Sequence, residues 1–141
     1  MSDFSSKWIS EKQIEIFSKA KGMLLSELKT NYPSLRVTQD NATPTNTQLP
    51  TIYVDFVAAP ERGQTLDGTT VNAVSMTIDV HVKTSNDQGA VANNDIAWAV
   101  VDVFKTFGFT STMPNMATSD YNGVYESVSR FSRVIGQSDK I

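Results

Sequence analysis

Between Thr70 and Ser85, the apolar residues Val74, Met76, Ile78, Val80 and Val82 occupy every second position. A period of two sustained this long predicts a β-strand with one buried face. Ser75, Thr77, Asp79, His81 and Lys83 then share the opposite, polar face. No other segment is as regular, so the rest of the chain is read around this strand.

Two segments carry helical spacing instead. From Ser10 to about Asn31, Ile14, Phe17, Leu24, Leu25 and Leu28 form an apolar stripe interrupted by Lys21. Ser10 and Gln13 fit a capping box, a start near Ser5 or Ser6 is an alternative, and Pro33 stops the helix. A thinner second stripe, Ile9, Ile16 and Met23, lies roughly opposite and is read either as scattered exposed apolar residues or as a contact face for another subunit. The second helix is expected from a cap at Asn86 or Asp87 to about Phe107, with Ile96, Ala97, Val100, Val101, Val103, Phe104 and Phe107 inward. Gly108 sits where a left-handed C-cap is wanted, and Phe109 supplies the apolar contact beyond it. Trp98 lies off that stripe, near the azimuth of Asp102 and Lys105, and is either a rim packing residue or an interface anchor.

Around these elements, Leu35–Thr38 predicts a short strand and the segment 39–48 a loop. Pro50–Ala59 predicts a second strand with Ile52, Val54, Phe56 and Ala58 on one face and Tyr53, Asp55 and Val57 on the other. Apolar residues on both faces suit a central position. Pro60–Thr69 is read as a long hairpin connection that makes this strand and the Thr70–Ser85 strand antiparallel neighbours. Thr110–Gly123 is loop-like, and Val124–Ile135 is a last, weakly alternating strand near a sheet edge or a partner. The sum is one α+β domain over residues 1–141, with an antiparallel or mixed sheet of about four to five strands and two main helices.

Composition narrows the function. A charge of −3 argues against a binder held mainly by phosphate contacts. With no cysteine there is no disulfide, no thiolate nucleophile and no Cys-ligated zinc. The longest apolar run, Ile96–Val101, is far short of the ~20 residues that span a bilayer, and the first ten residues lack the apolar centre of a signal peptide. His81 is the only histidine, and with Asp79 on the same strand face it is the one acid–base pair the sequence offers. A polar, solvent-facing or interfacial strand surface is the favoured reading of both residues, because no motif places a serine, cysteine or second histidine as a partner. Asp55 and Asp79 on facing strands are a weak metal signal, and Gly63–Gly68 lacks the lysine and the helix of a phosphate loop.

The element order, together with LKTNYPSLRV (Leu28–Val37), LPTIYVDF (Leu49–Phe56), SMTIDVHV (Ser75–Val82), FKTFGF (Phe104–Phe109) and VYESVSRFSRVI (Val124–Ile135), resembles the tail-terminator, or tail-completion, proteins of long-tailed bacteriophages and related contractile systems. The resemblance spans nearly the whole chain and is carried by arrangement more than by any single motif. It implies helices on one side of the sheet and a non-catalytic virion protein without cofactor. It also implies a homo-oligomeric ring, expected to be six-fold, made in the host bacterial cytoplasm. Such a ring ends the tail tube and joins the tail to the head, with tube and head-tail connector proteins as partners. DNA passes through it without sequence recognition. On that expectation Trp98, Phe56, Val57, Arg62, Leu66, Ile16 and Met23 are candidate contacts with another subunit or partner. Thr77, Asp79, His81 and Lys83 are candidates to face the lumen or the tube. A head-side neck or connector protein, a protein-binding module, and an enzyme using Asp79 and His81 are the other readings.

Overall fold

In the computed structural model, residues 7–39, 49–64, 71–111, 118–119 and 123–141 are described. The regular strand is present as β4, Val71–Ser85, flanked by the other elements: α1 (Lys7–Leu28), β1 (Arg36–Thr38), β2 (Thr51–Ala58), β3 (Glu61–Gln64), α2 (Gly89–Thr106), β5 (Thr110–Ser111), β6 (Thr118–Ser119) and β7 (Val124–Gly136). The strand order is β1-β2-β4-β7-β5, with β3 beside β4 and β6 beside β7. β1 runs parallel to β2 and every other described pairing is antiparallel, so the sheet is mixed. The fold is α+β, as expected. β2 is interior, as its two apolar faces suggested.

Every second residue of β4 faces the core. Val74, Met76, Ile78 and Val80 are fully buried, in one cluster with Ile52 and Val54 of β2, Phe131 and Ile135 of β7, and the inner faces of both helices. Both helices therefore lie on one side of the sheet. α2 packs on β4 and β7, and α1 packs against α2 and β1.

The ends of α2 follow local rules. Gly108 takes φ +81°, Phe109 N–H donates to Phe104 O at 3.1 Å, and Gly108 N–H donates to Lys105 O at 3.0 Å. This is the Schellman pattern the sequence predicts. Arg133, on the helix side of β7, adds a hydrogen bond to Phe107 O and places a cation at the helix C-terminus. The N-cap position of α2 is Gln88, not Asn86 or Asp87, and it makes no side-chain capping bond to the helix; the turn leading into it is held instead by Ser85. Ser85 and Gln88 form the reciprocal pair: Ser85 N–H donates to Gln88 Oε1 at 2.9 Å, and Gln88 N–H donates to Ser85 Oγ at 3.3 Å. A Ser-x-x-Gln box at the very end of a strand is easily hidden by the strand pattern. Ser85→Ala is expected to lower stability by about 1 kcal/mol in chemical denaturation, whereas Asp87→Ala should change little.

α1 corrects the first helical stripe. Its described part begins at Lys7 and Ser10 lies inside it, so the Ser10–Gln13 box is not its cap; the alternative start near Ser5 or Ser6 lies outside the described residues. The buried residues are Trp8, Ile16, Ala20, Leu24 and Leu28, with Ile9, Phe17 and Leu25 half-buried, while Ile14 is 63 % and Met23 40 % exposed. From Ile16 onward the seam advances in steps of four, which winds it round the helix by about 40° each step. Ile14 falls off the seam in the first half and Met23 in the second. Ile16, expected on an outer face, is wholly buried and is removed from the candidate contacts.

Two further corrections concern β2 and the connection to β4. The register slips between Phe56 and Ala58, a bulge that puts Ala58 opposite Thr77 of the polar face instead of in line with Ile52, Val54 and Phe56. The connection beyond this bulge is partly strand: β3 pairs with the first part of β4, with Arg62 opposite Ala73. β7 lies near the sheet edge, as its weak alternation suggests. It pairs with β4 from Ser85↔Val124 to Ala73↔Gly136, with the short β5 and β6 on its other side.

Candidate interaction surfaces

The side of the sheet away from the helices is a ladder of polar rows across β2, β4 and β7. Register sets the rows: Thr51, Lys83 and Glu126; Tyr53, His81 and Val128; Asp55, Asp79 and Arg130; then Ala58, Thr77 and Ser132. Apart from buried Thr51 and exposed Ala58, these residues are half-buried, each shielded by its neighbours in the ladder. Thr77, Asp79, His81 and Lys83 thus share the face turned away from both helices, as the alternation predicts. Val57 and Val134, also on β2 and β7, are 46 % and 56 % exposed.

Asp79 and Arg130, and Glu126 with His81 and Lys83, are paired across strands. Arg130 donates through Nε to Asp79 Oδ1 at 2.7 Å and through a terminal nitrogen to Asp79 Oδ2 at 2.9 Å. This fork grips a carboxylate that lies directly opposite Asp55 and offsets their mutual repulsion. Those hydrogen bonds hold the Asp79 carboxyl below its ordinary range. Glu126 meets His81 Nδ1 at 3.3 Å and Lys83 Nζ at 3.7 Å, and the contact with His81, more than Lys83, lowers its pKa too. Tyr53 packs on the His81 ring with centroids 5.2 Å apart. His81 and Asp79 therefore have separate partners, Glu126 and Arg130, and no bond joins the two, in keeping with a polar strand surface.

Both carboxyls are shifted downward, so the sign is fixed. Their contribution to stability is present above the ordinary carboxylate range and is lost as pH falls through their lowered folded values. Below pH about 4.5, stability is expected to fall more steeply for the native chain than for an Asp79→Asn/Glu126→Gln double variant. Guanidinium unfolding midpoints measured from pH 7 to pH 3 check this; parallel curves would contradict it.

The helix side carries the other exposed apolar residues. On α2, Trp98 is 57 % and Val91 84 % exposed, which places Trp98 outside the core stripe as its helical angle predicts. Trp98 stands at a groove of about 290 Å³ between α2 and the end of α1, where Glu27, Asp95 and Asp102 also line the wall. Tyr32 Oη donates to Asp95 Oδ2 at 3.0 Å beside it. A second groove of about 370 Å³ lies between the C-terminal half of α1 and β1, lined by Lys21, Lys29, Arg36 and the apolar Leu25 and Leu35. Lys21 also stands 5.9 Å over the Phe17 ring. Nothing in the sequence pattern marks this groove, because its cations come from separate elements joined only by folding.

No protein-family model and no curated protein matches this chain.

The remaining candidate contacts differ in exposure and position. Phe56 is half-buried and packs against the core. Val57 and Met23 are exposed on opposite sides of the sheet. Arg62 is placed only as a position on β3, and Leu66 lies outside the described residues. Among the described residues, no helix is long and apolar enough to cross a membrane.

Proposed function

We propose that this chain is a structural ring subunit that ends the tail tube of a long-tailed phage and joins the tail to the head. The observation that carries the proposal is the sidedness of the fold. Both helices, with exposed Trp98, lie on one side of the sheet, and a long polar ladder crossed by ion pairs lies on the other. A subunit with two unlike surfaces associates front to back, and front-to-back association closes into a ring when the rotation between copies permits. The tail-terminator resemblance read from the sequence supports the same reading.

In this reading the ladder of Thr77, Asp79, His81 and Lys83 faces the lumen or the tube protein. Its cations Lys83 and Arg130 are already paired with carboxylates, which leaves a DNA strand little positive charge to bind, and the chain's charge of −3 acts in the same direction. The partners are further copies of the chain, the tube protein and a head-tail connector protein. Negative-stain electron microscopy of the purified chain is expected to show rings with a central opening. Dispersed single subunits at the same concentration would contradict the proposal.

A further inference from the structure

Two grooves flank α1, and they are unlike in charge. One holds the cations Lys21, Lys29 and Arg36; the other holds the anions Glu27, Asp95 and Asp102 around exposed Trp98. We infer that they are the two halves of one contact: Trp98 and its acidic rim on one copy seat in the Lys21–Lys29–Arg36 groove of the next copy. This inference rests on the ring reading and names the surfaces that would build it.

Chemistry and shape both favour a second copy as the occupant. The basic groove has an apolar floor, half-buried Leu25 and buried Leu35, beneath its cationic rim. An indole ring flanked by carboxylates matches that combination of apolar floor and positive rim. Arg36, half-buried, lines this groove. Its planar guanidinium is suited both to a carboxylate and to the face of a tryptophan. Trp98, in turn, exposes 57 % of its surface although tryptophan is among the costliest side chains to leave in water. Charge complementarity also sets which groove meets which. Like grooves repel, so the acidic groove of one copy must meet the basic groove of another; the ring reading selects the head-to-tail form of that pairing over a reciprocal two-fold one.

The geometry allows closure. Lys21 and Leu25 lie together on one side of α1, and Glu27 lies roughly 140° away round its axis. Successive copies are therefore turned relative to one another instead of stacked in a straight line. Because both grooves border the helix layer, the polar ladder on the far side of the sheet takes no part in this contact.

Charge reversal tests the pairing. Lys21→Glu/Lys29→Glu reverses one groove, and Glu27→Lys/Asp102→Lys reverses the other; all four side chains are exposed, and circular dichroism melting confirms that each variant is folded. Light scattering after size exclusion is expected to show the native chain as an oligomer. Each variant alone should be dissociated, with association weakened on the order of 100-fold. An equimolar mixture of the two should reassemble, because every groove then meets an opposite charge. Variants that keep the native oligomer, or a mixture that stays dissociated, overturn the inference while leaving the ring reading in place. A native chain that is monomeric at every concentration overturns both.

Discussion

Truncating Phe104 to alanine is expected to remove about 3–5 kcal/mol of stability and to lower the melting temperature by roughly 10–15 °C. Phe104 is fully buried where α2, β5 and β7 converge. Its ring stacks on Phe131 with centroids 4.8 Å apart, and Phe107 and Phe109 meet it edge-on at 6.1 and 5.8 Å. Alanine would lose the transfer free energy of the ring, leave a cavity among three aromatics, and loosen the Phe104–Phe109 contact that closes the helix C-terminus. Trp98→Ala is the informative contrast. The tryptophan is larger, but more than half of its surface is exposed, so the stability of the single subunit should change by no more than about 0.5 kcal/mol. Urea unfolding of both variants measures the difference directly; equal losses would mean that Trp98 is core after all.

Asn93 is expected to be the most sensitive polar position. It is completely buried on α2, and its Nδ2 donates to Val82 O at 2.8 Å, to Tyr125 O at 2.9 Å and, more weakly, to Thr84 Oγ1 at 3.3 Å. One amide thus ties the helix to the backbones of both long strands, where the ladder between them is still pairing Thr84 with Tyr125. Asn93→Leu keeps the volume but removes the donors, at an expected cost of about 2–3 kcal/mol. Asn93→Asp should cost more at pH 7, because an anion would be buried against two carbonyl oxygens, and the gap between the two variants should narrow as acid protonates the new carboxyl. Denaturant midpoints for both variants at pH 7 and pH 4 check the order and the narrowing.

How far the sequence shows these features depends on how local each one is. The two faces of β4, the C-terminal cap at Gly108 and the outward azimuth of Trp98 depend only on residues a few positions apart, and all are legible in the chain. The partners on the polar face are not. Asp79 meets Arg130, and His81 meets Glu126, only once the β4–β7 register is set. β3 escapes notice because Glu-Arg-Gly-Gln has no apolar alternation; its pairing is directed by the strand it meets. Ile16 is misplaced when a straight stripe is drawn on a helix whose buried seam winds. The basic groove joins Lys21 and Lys29 to Arg36 across a turn and a helix end, a juxtaposition that no spacing rule encodes.

Closure of this chain into a ring underlies both the proposed role and the pairing of the two grooves. Native mass spectrometry of the purified protein at micromolar concentration reads that closure without an intermediary. One discrete assembly near six times the 15.5 kDa subunit is expected, dissociating as salt rises. A spectrum holding only the 15.5 kDa monomer, at low salt and high concentration alike, would contradict ring closure.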